Sequence, residues 1–209
     1  MQIYIHGLGQ KPDSWQRVIQ QINVDEDSIC PDLAELVRGK AVTYPALYSA
    51  FSAMCDAIED PLSLCGLSLG GVLALHYAAE HPGRVRALVL IAAQYHMPER
   101  LLKLQNAVFR FAPKSMFREM GFEKDDFLNL CRTMMNLNFS ASLHEISCPA
   151  MVICGGKDRA NRRASADLAG ILKNAEFHVL NGVGHKVNAE APERLAELLF
   201  AFYSRVLQS

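Results

Sequence analysis

Short apolar runs alternate along this chain with longer segments of helical spacing. MQIYIHG (residues 1–7) and PLSLCG (61–66) are strand candidates, and DSICPD (27–32) is a weaker one. RALVLIAA (86–93) and PAMVICGG (149–156) are unbroken apolar runs of the kind found in strands buried on both faces. AEFHVLNG (175–182) is shorter and more alternating. Helix patterns lie between them. DSWQRVIQQI (13–22) offers Asp13 or Ser14 as a cap, and YPALYSAFSAMCDAIED (44–60) carries Pro45 in its first turn. GGVLALHYAAEHPG (70–83) stops at Pro82-Gly83, and APERLAELLFAFYSRVL (191–207) is an amphipathic closing helix. Strands alternating with helices imply right-handed crossovers and a mostly parallel sheet covered on both faces.

Residues 96–142 interrupt that alternation. They hold helical spacing and no strand candidate, yet they separate two strand runs, and they are rich in Phe and Met. One helix and two short loops would suffice for a crossover, so the excess predicts an inserted helical cap. Its side chains suit an adaptable apolar surface that both packs down and lines a pocket. No repeat or linker divides the rest, so 209 residues are expected to form a single domain, 1–209, carrying that insert.

Composition narrows the function. Half the residues are hydrophobic, 21% are charged and the formal net charge is −1. No basic run suggests a nucleic-acid stripe or a membrane-surface helix. The first residues lack the pattern of a signal peptide, and no apolar stretch is long enough to cross a bilayer. The six cysteines include no C-x-x-C pair, and several lie in apolar runs. Buried thiols in a reducing cytoplasm account for them better than disulfides or zinc. The expectation is a cytoplasmic monomer or homodimer with a small-molecule partner, without nucleic acid, membrane or metal. HGLGQ at 6–10 is neither G-x-G-x-x-G nor a P-loop, so no cofactor is expected.

The candidate chemistry centres on CGLSLGG (65–71), a G-x-S-x-G match placed where a strand runs into a helix. That is the context of a nucleophile elbow, a turn so sharp that side chains two residues either side of the serine would collide with it. Gly66 and Gly70 remove those collisions, leaving Ser68 exposed at the tip. A serine hydroxyl needs a base, and the base needs an orienting acid; in this architecture they follow in that order, each after a strand. Asp158 follows PAMVICGG, and His185 lies in a glycine-flanked loop after EFHVLNG. Parallel sheets bind ligands at the carboxyl ends of their strands, so the three are expected to meet there within hydrogen-bonding reach. The other histidines fall on helices, in a strand or at the ends of the insert. His6 precedes the loop after the first strand, where a structural hydrogen bond is expected, and Asp32 is read as a loop hydrogen-bonding residue. Oxyanion donors are expected from the backbone N–H groups of Leu69 and Leu8.

HGLG at 6–9, GLSLGG at 66–71, CGGKD at 154–158 and GHKVNAEAPE at 184–193 together resemble the α/β-hydrolase superfamily. The nearest resemblance is to small carboxylesterases, enol-lactonases and carbon–carbon bond hydrolases with a helical cap. It implies Ser68, Asp158 and His185 as triad and Leu8 and Leu69 as oxyanion hole. Members usually carry one or two strands before the HG loop, whereas here five residues precede His6. A minimal α/β-hydrolase sheet of about six strands is therefore expected, with the HG strand internal. The expected activity is hydrolysis of a small-to-medium ester or thioester through an acyl-enzyme. The alternatives are a C–C bond hydrolase or lyase using the same triad, with Arg100, Arg110, Arg118 or Arg132 holding a substrate carboxylate, and a non-catalytic binding protein of the same fold.

Overall fold

The computed structural model describes residues 1–22, 27–97, 109–119 and 122–207. Six strands form one sheet: β1 (Gln2–Ile5), β2 (Ser28–Ile29), β3 (Leu62–Leu67), β4 (Val85–Ile91), β5 (Ala150–Gly155) and β6 (Ala175–Leu180), in the order β2-β1-β3-β4-β5-β6. Every pairing is parallel, and the strand leading into the HG loop is internal, as expected. The sheet separates two apolar layers, which explains why its central strands lack alternation. Ile3, Ile5, Leu64, Leu88, Leu90 and Val152 face the helices Tyr44–Asp56 and Leu69–Glu80 and the insert. Tyr4, Cys65, Leu67, Val89, Ile91 and Ile153 face Trp15, Val18 and the closing helix Pro192–Leu207. Each layer therefore takes alternate residues of one continuous apolar run.

Two helical readings are corrected. The segment at 13–22 splits into a 3₁₀ turn, Pro12–Trp15, and a four-residue helix, Gln16–Ile19. Lys11 stands at the N-cap and Pro12 in the first turn, so neither Asp13 nor Ser14 caps it. Residues 159–171, unassigned by apolar patterning, form the helix Arg159–Ile171. It buries only Ser165 and Leu168, too little to print a stripe in the sequence.

Within the insert, the helices Lys114–Glu119 and Lys124–Met134 are described, and residues 98–108 and 120–121 lie outside the described set. The root of the insert is pinned where the chain leaves and re-enters the domain. His96 and Asn138 form an isolated antiparallel bridge, with Met97 N–H donating to Leu137 O (3.0 Å) and Phe139 N–H to Tyr95 O (2.8 Å). Phe109, Phe117 and Phe127 pack edge to face at centroid separations of 5.0–6.0 Å. Polar contacts tie this unit down as well. Asn129 Nδ2 donates to Val42 O (2.9 Å), and Thr133 Oγ1 accepts from Tyr44 N–H (2.8 Å). Tyr44 is the first residue of its helix, and its N–H is one of the orphan donors of a helix start. Among the described residues, no helix is long and apolar enough to cross a membrane.

Replacing Thr133 by the isosteric Val removes that acceptor and leaves the Tyr44 N–H without its partner. We expect a loss of about 1 kcal/mol or somewhat more, read as a lower urea midpoint with an unchanged slope.

Candidate active site

β3 ends at Leu67, and the helix Leu69–Glu80 starts two residues later, so Ser68 alone makes the turn. Its backbone lies at φ 52°, ψ −112°, a strained conformation for a residue with a side chain. Hydrogen bonds at both sides hold it: Ser68 N–H donates to Ile91 O (2.8 Å), and Ser68 O accepts from Val72 N–H (2.9 Å). The flanking glycines are sterically required. A Cβ on Gly66 would lie 2.3 Å from the Gly70 carbonyl, and one on Gly70 would lie 2.2 Å from Ile5 O.

Asp158 and His185 come from the loops after β5 and β6. Gly155, at the end of β5, lets these loops touch, since a Cβ there would lie 2.0 Å from Gly184 O. His185 is braced from both sides by one carboxylate: Glu190 accepts from Gly184 N–H (2.7 Å) and Lys186 N–H (3.3 Å). His185 Nδ1 then lies 2.7 Å from Asp158 Oδ2. An ionised carboxylate only accepts, so Nδ1 carries a proton, and in the neutral ring the lone pair is on Nε2. Asp158 is buried and is the N-cap of the helix Arg159–Ile171, accepting from Asn161 N–H at 3.3 Å. Burial pushes its carboxyl up, but hydrogen bonds from His185 and Asn161 outweigh that and hold it below its ordinary value of 3.8.

Ser68, Asp158 and His185 all line one cavity of about 500 Å³. The contacts of the His185 ring run to Asp158 and Asn161. Among the described residues no hydrogen bond joins it to the Ser68 hydroxyl, so that part of the expected geometry is not met directly. The hydroxyl turns on a single side-chain torsion, and in hydrolases this contact commonly tightens only when substrate is bound. Val72, Met97, Phe109, Phe127 and Met134 form an apolar wall, supplied largely by the insert. Cys131 also lines the cavity, and burial pushes its thiol up to about 12, which keeps it un-ionised near neutral pH.

Leu8 and Leu69 reach the same cavity. Leu69 is the first residue of its helix, so its N–H has no intrahelical acceptor. The Leu8 loop is held from two directions. His6 is buried; its Nδ1–H donates to Gly7 O (3.0 Å), and its Nε2 accepts from Leu33 N–H (3.2 Å). These two bonds fix a neutral tautomer, and burial lowers the proton affinity of the ring further. Gly7 N–H is taken by Gln10 Oε1 (3.2 Å), and Gln10 Nε2 donates to Asn188 Oδ1 (2.9 Å), just past His185. Asp32 N-caps the short helix Leu33–Leu36 through Ala34 N–H (2.9 Å).

The apolar patterning passed over Asn161, Gln94, Gln10 and Asn188. Asn161 had a legible signal, standing three residues after an N-cap aspartate, the position that faces the cap. The other three are paired only by the fold. Of the arginines considered for a substrate carboxylate, Arg100 and the side chain of Arg118 lie outside the described set, and Arg110 and Arg132 are exposed and do not line the cavity. Lys186 lines it instead, at an exposed position.

With this arrangement in view, comparison with known proteins defines the class. Residues 3–198 match the model of the alpha/beta hydrolase family, and the chain belongs to that family. It is 23% identical to Monoacylglycerol lipase abhd6-B of Xenopus laevis over 97% of this chain and 74% of that protein. It is 25% identical to 2-hydroxy-6-oxononadienedioate/2-hydroxy-6-oxononatrienedioate hydrolase 1 of Dechloromonas aromatica (strain RCB), over 73% of this chain and 66% of that one. Its fold is similar to the enol-lactonase of Burkholderia xenovorans LB400 at a TM-score of 0.83 and 17% identity, over 97% of this chain and 91% of that one. Hydrolase activity follows from this membership and these relatives.

Two outcomes are expected from this geometry. Gly70→Ala forces a methyl group into the Ile5 carbonyl, so soluble protein is lost or its unfolding free energy falls by ~1–3 kcal/mol, measured by urea denaturation. Asp158, held below 3.8 in the folded chain, takes up its proton at higher pH when unfolded. Its contribution to stability is therefore complete above that value and disappears as pH falls through the folded one. The stability gap between the wild type and Asp158→Asn should narrow on acidification, in urea titrations at pH 7 and pH 3.

Proposed function

We propose that this chain is a serine hydrolase that cleaves a carboxylic ester or thioester of small-to-medium size through an acyl-enzyme. One observation carries the reading: a strained elbow serine shares a cavity with a histidine whose Nδ1 is 2.7 Å from a buried carboxylate. Ser68 attacks the carbonyl carbon, and its proton passes to His185 Nε2. Asp158 keeps Nδ1 protonated and stabilises the imidazolium, without accepting the proton itself. The N–H groups of Leu8 and Leu69 receive the developing oxyanion, helped by the positive end of the helix that starts at Leu69. His185 then returns the proton to the leaving oxygen or sulfur and activates water against the acyl-enzyme.

The cavity supports an apolar acyl group. Its volume of about 500 Å³ lies in the range of small-molecule sites, and its far wall is Phe, Met and Val. The similarity to a monoacylglycerol lipase is in keeping with an ester substrate. Carbon–carbon bond hydrolysis uses the same three groups and is the activity in the name of the Dechloromonas relative. Dianionic substrates of that kind call for buried cations at the site. Among the described residues the cavity offers Lys186 alone, exposed to solvent, which favours the uncharged acyl chain.

Ser68→Ala should keep the wild-type fold and thermal midpoint while hydrolysis of p-nitrophenyl butyrate falls by ~10⁴-fold or more. Labelling by a fluorophosphonate probe should vanish with it. Undiminished turnover in that variant would remove Ser68 from the chemistry.

A further inference from the structure

Asp158 has more donors around it than a histidine-orienting acid requires. Asn161 Nδ2 lies 3.0 Å from Oδ1 and 2.9 Å from Oδ2, in addition to the backbone N–H of the same residue. It also lies 3.2 Å from His185 Nδ1. With the Nδ1 proton hydrogen-bonded to Asp158, that last contact sets donor against donor, so the amide hydrogens go to the carboxylate. The other end of the amide is held too. Gln94 Nε2 donates to Asn161 Oδ1 at 2.7 Å, reaching across 67 positions of sequence from the end of β4. An inverted Asn161 amide would turn its oxygen onto the carboxylate and its NH₂ onto another NH₂. Gln94 and Asn161 both line the cavity that holds Ser68 and His185.

We propose that Gln94 and Asn161 form a positioning relay, in which Gln94 fixes the Asn161 amide and Asn161 holds the Asp158 carboxylate in the orientation that meets His185. The inference rests on the triad assigned above. Capping the helix does not call for this side chain, because the Asn161 backbone N–H performs that task. The relay has two consequences. It restricts the rotation of a carboxylate that would otherwise keep only one strong contact to the ring. It also draws negative charge toward Asn161, so that less of it faces the imidazole. Gln94 stands immediately before Tyr95, whose carbonyl takes Phe139 N–H at the root of the insert, so the relay joins the base of the cap to the catalytic acid. Among the described residues, Asp158 at 2.7 Å is the one charged group hydrogen-bonded to the His185 ring. Lys186 follows His185 and Glu190 braces its loop, Lys157 and Arg159 flank Asp158, and Cys131 lines the same cavity. All of these stay unchanged in the variants below.

The test is the pH profile of p-nitrophenyl acetate hydrolysis for Asn161→Ala, Gln94→Leu and the double variant, with circular dichroism as the control for folding. Asn161→Ala should lower kcat by ~10-fold with KM little changed, because the lost interaction aligns the reacting groups rather than binding substrate. The acidic limb of kcat/KM should move to higher pH, since more carboxylate charge then faces the ring. Gln94→Leu should act in the same direction but more weakly. The double variant should be no worse than Asn161→Ala, because both act through one amide. Asn161→Ser, which restores a donor at the same position, should recover part of kcat and of the limb. An unmoved limb at full kcat in folded Asn161→Ala, or additive losses in the double variant, would overturn the relay. If Asn161→Ala does not fold, an unmoved limb at full kcat in Gln94→Leu overturns it equally. Fluorophosphonate labelling of wild-type Ser68 separates the two readings: with labelling present, a negative result sinks the relay alone, and without it both fall.

Discussion

The organising interaction is the carboxylate of Asp158. It stands three residues after β5, caps the helix Arg159–Ile171, and meets a histidine from a loop almost thirty residues further along. A buried carboxylate is unfavourable unless its oxygens are saturated with donors. Here the donors come from His185, from the helix start and from the Asn161 side chain, and together they keep the group ionised despite its burial. The same bonds that make the charge tolerable also give it a direction. Local folding and chemical orientation are one event at this position, and an anion capping a helix gains from the positive end of the helix dipole as well.

Around that interaction the structure is built on close backbone approaches. The elbow brings the first turn of the helix Leu69–Glu80 against the end of β1, and Gly155 lets the end of β5 meet the histidine loop. These approaches carry three strand ends and their loops to one rim. They also place the Leu8 loop, through Gln10 and Asn188, in hydrogen-bonded contact with the segment following His185. Ser68, His185 and the Leu8 loop are thus referenced to one another through backbone contacts and buried side-chain amides. The apolar cap wall has packing of its own beyond this frame. It rests on phenylalanine packing and on Thr133 and Asn129, and it meets the site's polar groups at its root, beside Gln94.

The legible part of the fold followed from simple physics. Strands buried on both faces print as continuous apolar runs, and all six strands fall where those runs or their weaker relatives stood. The elbow was legible because the collisions it avoids leave glycine as the fitting residue at positions 66 and 70. The weaker readings also have causes. The helix Arg159–Ile171 buries two residues and carries four charged ones, so periodicity is faint. The helix near residue 16 begins with a proline and a 3₁₀ turn, and so bypasses the side-chain cap that the sequence offered.

By itself, then, the chain order and residue types determined the parallel sheet, the turn that lifts Ser68, and the order of Ser68, Asp158 and His185 after β3, β5 and β6. These are local properties, set by sterics and by the period of burial within a few residues. Only the tertiary structure decided which amides complete the site. Gln94 reaches Asn161 and Gln10 reaches Asn188 across long sequence separations, and a glutamine or asparagine carries no pattern that announces its partner. Hydrogen bonds of that kind exist only after the sheet has brought distant loops to the same edge.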